Sequence, residues 1–140
     1  MVPLVKIIMG EKGSGKTKKL VDLVIEAVNS ASGDVIVIEK EKKLTFDIPY
    51  QARLIDAGEY GVNSYDLLKG FICGLHAGNY DITHVFIDNF FKLVASKESA
   101  DLAGFMTWLE SFSIKENVEF VISVSADSST APEEIKKFII

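Results

Sequence analysis

Arginine is almost missing from this sequence: of 15 basic residues only Arg53 is one, and the rest are lysines. Any guanidinium that this chain offers to a phosphate, its own or a neighbour's, is therefore Arg53. Cysteine is equally scarce. Cys73 stands alone, which excludes a disulfide framework and fits a reducing compartment. Only three prolines interrupt the chain, Pro3 just before the first apolar run, and there is no repeat, low-complexity segment or linker. The 140 residues thus read as a single domain, 1–140, large enough for a proper core. An excess of positive charge is also lacking: the net charge of −5 argues against generic nucleic-acid binding, which needs a basic face. No apolar run approaches a membrane span and the N-terminus lacks a signal-peptide layout, so a cytoplasmic protein without a membrane partner is expected.

What is present is concentrated in one stretch. Leu4 to Thr17 runs from a buried-type apolar segment into a glycine-rich turn and on into an amphipathic helix. Gly10, four residues, Gly15, Lys16 and Thr17 spell the phosphate-binding loop pattern without a mismatch. Gly10, Gly13 and Gly15 permit backbone conformations closed to other residues, so that N–H groups of the loop, including those of Lys12 and Ser14, converge on a phosphate. The helix that starts near Lys16 adds free N–H groups and a positive dipole end. Lys16 would reach the β- and γ-phosphates and the Thr17 hydroxyl would ligate Mg²⁺. A plain loop would account for the glycines but not for Lys16-Thr17, since a cation at a helix start opposes the dipole unless an anion is nearby. A dinucleotide-binding reading starting at Gly13 fails at Lys18, where it needs glycine.

The remaining chain alternates strands and helices. Leu4 to Met9 reads as a strand covered on both faces. From Thr17 to Ser30, Leu20, Val21, Val24, Ile25 and Val28 recur at helical spacing, with Lys18, Lys19, Asp22 and Glu26 on the solvated side. Val35 to Ile38 is a second strand and Arg53 to Asp56 a short third. Asn63 or Ser64 caps a helix through Leu67, Leu68, Phe71, Ile72 and Leu75, which Gly78-Asn79 stops. His84 to Asp88 is a strand ending on an acid. Ser99 or Asp101 opens a helix striped by Leu102, Phe105, Met106, Leu109 and Phe112, Val118 to Val124 is a strand, and Pro132 opens a short terminal helix. The spacing predicts an α/β protein with three α/β/α layers around a mainly parallel sheet of about five strands. Ligands of such sheets bind beyond the carboxyl ends of the strands, where the glycine loop lies.

Asp88 after three apolar residues has the pattern of a Walker B acid, holding Mg²⁺ directly or through water beside Thr17. Asn89 follows, where many ATPases of this kind place a glutamate, and an amide cannot accept a proton. Two alternatives elsewhere are weak: Cys73 and His76 form half a zinc site without a second pair, and Phe90-Phe91 could be an exposed partner surface.

The glycine loop, Asp88 without a following glutamate, and the acidic tip of the second strand together resemble the RecA/KaiC-like branch of P-loop ATPases. That resemblance spans about Leu4 to Val124. It implies ATP and Mg²⁺ as ligands and gives the water-activating role to Glu41 in Ile38-Glu39-Lys40-Glu41, with Glu39 as rival. It also places a polar γ-phosphate sensor near Ser123 and Ser125. The DNA-binding and subunit-joining parts of a recombinase have no counterpart here. A homo-oligomer completing its site across subunits would have to use Arg53. The core resembles thymidine-kinase-type nucleoside kinases as well, against which Asn89 and the single cysteine count. The guanine-reading N-K-x-D motif is absent, favouring ATP over GTP. Three functions follow as expectations: an Mg²⁺-dependent ATPase, with Lys16, Glu41 or Glu39, Thr17 and Asp88 as its machinery; a switch or assembly module that holds ATP without turnover; and a small-molecule kinase.

Overall fold

The computed structural model describes residues 4–140, so Pro3 lies outside the described residues. Five strands form one sheet: β1 (Val5–Gly10), β2 (Asp34–Glu39), β3 (Ala52–Asp56), β4 (Ile82–Ile87) and β5 (Glu119–Ser125). Every pairing is parallel, and the spatial order is β1-β5-β4-β2-β3. Among the described residues four helices accompany them, α1 (Lys16–Ser30), α2 (Tyr65–Gly78), α3 (Ser99–Glu116) and the short α4 (Glu133–Lys136). Among the described residues, no helix is long and apolar enough to cross a membrane.

The layers follow from right-handed crossovers in a sheet whose order reverses direction. From β1 the chain moves across to β2 and β3, and both crossings lie on one face. There Leu20, Val24 and Ala27 of α1, with Leu44 and Ile48 of the segment between β2 and β3, pack on Ile8, Val35, Val37, Phe86 and Val121. The chain then returns through β4 to β5, which puts α2, α3 and α4 on the other face. Leu68, Ile72, Leu102, Phe105, Met106, Leu109 and Ile135 meet Ile7, Ile36, Ile38, Val85, Ile87, Phe120 and Ile122 there. The result is three layers, α/β/α. One sheet edge is capped by the C-terminal residues, where Ile7 N–H donates to the Phe138 carbonyl (2.8 Å) and Ile140 N–H to that of Ile7 (3.0 Å).

Several side chains depart from the helical spacing read in the sequence. In α1, Ile25 is exposed and Ala27 is buried in its place. Leu67 of α2 is also exposed, one position ahead of the buried Leu68. Strand β4 begins two residues before His84, at Ile82. Phe90 is fully buried and Phe91 packs against the same core, so the pair is core and not an exposed partner surface.

Candidate functional site

Alternation along parallel strands decides which polar side chains meet. Val35 and Val37 of β2, Phe86 of β4 and Val121 of β5 point toward α1. Two residues further along each strand, the same face carries Glu39, Asp88 and Ser123. The register aligns Ile38, Ile87 and Ile122, so these three lie side by side one step beyond, and Asp56 pairs with Glu39 on the outer side. A polar row thus crosses the carboxyl end of an otherwise apolar sheet face. Glu39, Asp88 and Ser123 are 2%, 1% and 0% exposed, a burial that demands partners for each.

Asp88 finds three. The Thr17 hydroxyl, from the first turn of α1, lies 3.1 Å from Oδ2 and 3.4 Å from Oδ1. The Ser123 hydroxyl donates to Oδ1 at 2.5 Å, and the Asn89 side-chain amide lies 3.4 Å from Oδ2. Asn89 itself sits in the left-handed region at φ 51°, and its backbone N–H donates to the Ser123 oxygen at 2.9 Å. The chain therefore turns sharply immediately after the acid, and Ser123 holds both sides of that turn.

The glycine loop enters from the neighbouring β1. Gly13 and Gly15 have φ of 85° and 88°, values that side-chain-bearing residues rarely adopt. Gly15 is the residue preceding α1, and no side chain caps the helix and no acid lies in its first turn. The N–H groups of that turn face a site already bordered by Lys16, whose ammonium donates to the Glu11 carbonyl at 2.8 Å. Lys16 is 9% exposed. Lys12 and Ser14 are exposed on the loop itself. Free amides at a helix start with a cation beside them are what an anion requires.

Glu39 and Glu41 differ in surroundings. Glu39 is buried beside Asp88, and its Oε2 accepts the Leu44 N–H at 3.0 Å. Burial pushes its carboxyl above the ordinary value, the Leu44 hydrogen bond opposes that, and the Asp88 charge adds to it. Glu41 is exposed and lies 3.5 Å from the Lys43 ammonium. A small pocket at the carboxyl ends of β2 and β4 is lined by both glutamates with Lys40, Lys43, Asn89 and Lys92. The larger concavities lie elsewhere, one of them at the amino ends of β1, β5 and β4 beside His84 and Glu119. That location is at the opposite end of the strands from the glycine loop, whereas the small pocket shares the carboxyl end with it.

The Thr17 and Asp88 oxygens also suit a divalent cation. Adjacent ligands of octahedral Mg²⁺, each at about 2.1 Å, stand about 3 Å apart, close to the 3.1 Å found here. Among the described residues no group of three or more His, Cys, Asp and Glu is arranged to hold a metal. Mg²⁺ needs fewer, since it keeps waters and is shared with phosphates. Cys73 is exposed, and His76 is engaged with Glu116 at 2.8 Å. Ser125 is exposed at the tip of β5 beside Gly10. Arg53 is exposed on the edge strand β3.

Two features escaped the motif reading. The hold of Ser123 on Asp88 joins residues 35 positions apart in sequence. The burial of Glu39 did have a signal: Val35, Val37 and Glu39 share one strand face, which places the glutamate with the core side chains. Neither a protein-family model nor a curated protein sequence matches this chain, so the fold and the geometry above carry the functional reading by themselves.

Proposed function

We propose that the protein binds ATP with Mg²⁺ at the glycine loop, as a P-loop nucleotide-binding domain of the RecA-like kind, and hydrolyses it. The observation that carries this reading is the contact between Thr17 and Asp88. A hydroxyl from the start of α1 and a buried carboxylate from the end of β4 come together 71 residues apart in sequence, at 3.1 Å. The sheet order supports it too, because β5 lies between β1 and β4 and the glycine loop and Asp88 both follow the carboxyl ends of their strands, where open parallel sheets bind ligands.

Mg²⁺ would be held by Thr17 and Asp88, and when bound it neutralises charge on the phosphate oxygens. The loop amides and the first turn of α1 bind and orient the polyphosphate. Lys16 exchanges the Glu11 carbonyl for phosphate oxygen, a stronger acceptor. Glu39, the carboxylate beside Asp88, orients the attacking water and takes its proton, and the burial that raises its pKa suits it to that task. A second reading, nucleotide binding without turnover, is favoured by one detail: the Glu39 carboxylate is already engaged by the Leu44 N–H.

Titration calorimetry with ATP tests the first step. ATP should bind in the presence of Mg²⁺, and Lys16→Ala should weaken it at least about tenfold, the lower end of what a hydrogen bond to a charged group contributes. Unchanged affinity in that variant, or no binding by the wild type, would remove the reading. Binding without phosphate release would select the second one.

A further inference from the structure

Building on the nucleotide reading above, we infer that Ser123 is a positioning residue for the metal-holding acid and not a sensor of the terminal phosphate. A serine hydroxyl has one proton. Here it is committed to Asp88 Oδ1, while the same oxygen accepts the Asn89 N–H. The residue is 0% exposed, and it holds Oδ1 while the Thr17 hydroxyl stands nearer to Oδ2, at 3.1 Å against 3.4 Å. To touch a phosphate, Ser123 would have to surrender a charge-assisted hydrogen bond in a buried place.

What the arrangement does is fix a rotamer. Bound by Ser123 at Oδ1, Asp88 cannot turn its carboxylate edge away from α1, and Oδ2 remains toward Thr17. The second bond fixes the backbone after the acid. Asn89 at φ 51° takes the left-handed conformation that asparagine tolerates better than most residues, and the Ser123 oxygen supplies the partner for its N–H. One hydroxyl thus sets both the direction of the carboxylate and the turn that carries it. Losing a partner of this kind, one step behind a metal ligand, typically costs about 10- to 100-fold in metal affinity or activity.

The test is the Mg²⁺ dependence of ATP binding, followed by calorimetry at fixed ATP, for wild type, Ser123→Ala and Ser123→Cys. Cysteine keeps the group close to its size but donates weakly. Both variants should need about tenfold more Mg²⁺ for half-maximal enhancement, while their Mg²⁺-free ATP affinity stays at the wild-type level. Wild-type Mg²⁺ dependence in either folded variant overturns the inference. So does an equal loss of affinity with and without Mg²⁺, which marks a structural role. If Ser123→Ala fails to fold by circular dichroism, Ser123→Cys decides. Wild type without measurable ATP binding brings down the nucleotide reading and this inference with it, an outcome distinct from a wild type that binds and variants that respond normally.

Discussion

Asp88 and Glu39 are two buried carboxyls on adjacent strands, yet their surroundings assign them different work. Asp88 collects hydrogen bonds from Thr17, Ser123 and Asn89 and faces the start of α1. Glu39 accepts from backbone N–H groups, chiefly that of Leu44, and its pKa is raised first by burial and further by Asp88. An acid whose oxygens collect donors beside a helix start is placed to hold a cation, whereas one whose pKa is pushed upward suits proton transfer. Phosphate release from ATP should therefore fall by about 10²-fold or more in Glu39→Gln, the range for loss of a general base. Glu41→Gln should leave it within about twofold, because Glu41 is exposed and its Lys43 partner lies at the surface, where such pairs contribute little. Equal losses in the two variants would assign the proton transfer to neither residue alone.

The helices and strands show where local signals suffice. Ser64 was legible as a cap because an Asn-Ser pair precedes an apolar-periodic run, and its hydroxyl does accept the Leu67 N–H at 3.2 Å. Ser64→Ala should lower stability by about 1 kcal/mol, read as a shift of the urea midpoint with unchanged slope. The stripe of α3 was legible for a similar reason, since Leu102, Phe105, Met106 and Leu109 recur with the helical period and all four are buried. The exposure of Ile25 and Leu67 was not, because periodicity fixes a face only to within one residue and the sheet decides the rest. The segment between β2 and β3 hid its role because it has no regular helix. Leu44 and Ile48 nevertheless cover the sheet, joined by a hydrogen bond of 3.1 Å from Ile48 N–H to the Leu44 carbonyl. For the site, the glycine loop is contiguous and so could be read directly. The Ser123–Asp88–Glu39 row depends on strand order, which places β5, β4 and β2 side by side and which no local pattern encodes.

That row has a consequence for the stability of the entire domain. A carboxyl whose folded pKa is raised binds more protons in the native state than in the unfolded chain, so stability falls as pH rises through the interval between the two values. For Glu39 the interval opens at its ordinary value of 4.5 and extends upward to the raised folded value. Asp127 acts in the opposite sense: the Ser129 hydroxyl and N–H hold its carboxyl below 3.8, so its contribution is present above that value and fades as pH falls. Comparing wild type with Glu39→Gln cancels the Asp127 effect, which both proteins share. The amide is neutral at every pH and its oxygen can still accept the Leu44 N–H. Urea midpoints measured from pH 4 to 8 should thus nearly coincide at the acid end, with Glu39→Gln growing steadily more stable than wild type above about pH 4.5 and the gap levelling once Glu39 is fully ionised. A gap that does not change with pH would show that the substitution acts through packing and not through the buried charge. With the predicted turnover loss, one substitution would make the protein sturdier and less active. That pairing is expected where a sheet end keeps like charges together for chemistry and not for cohesion.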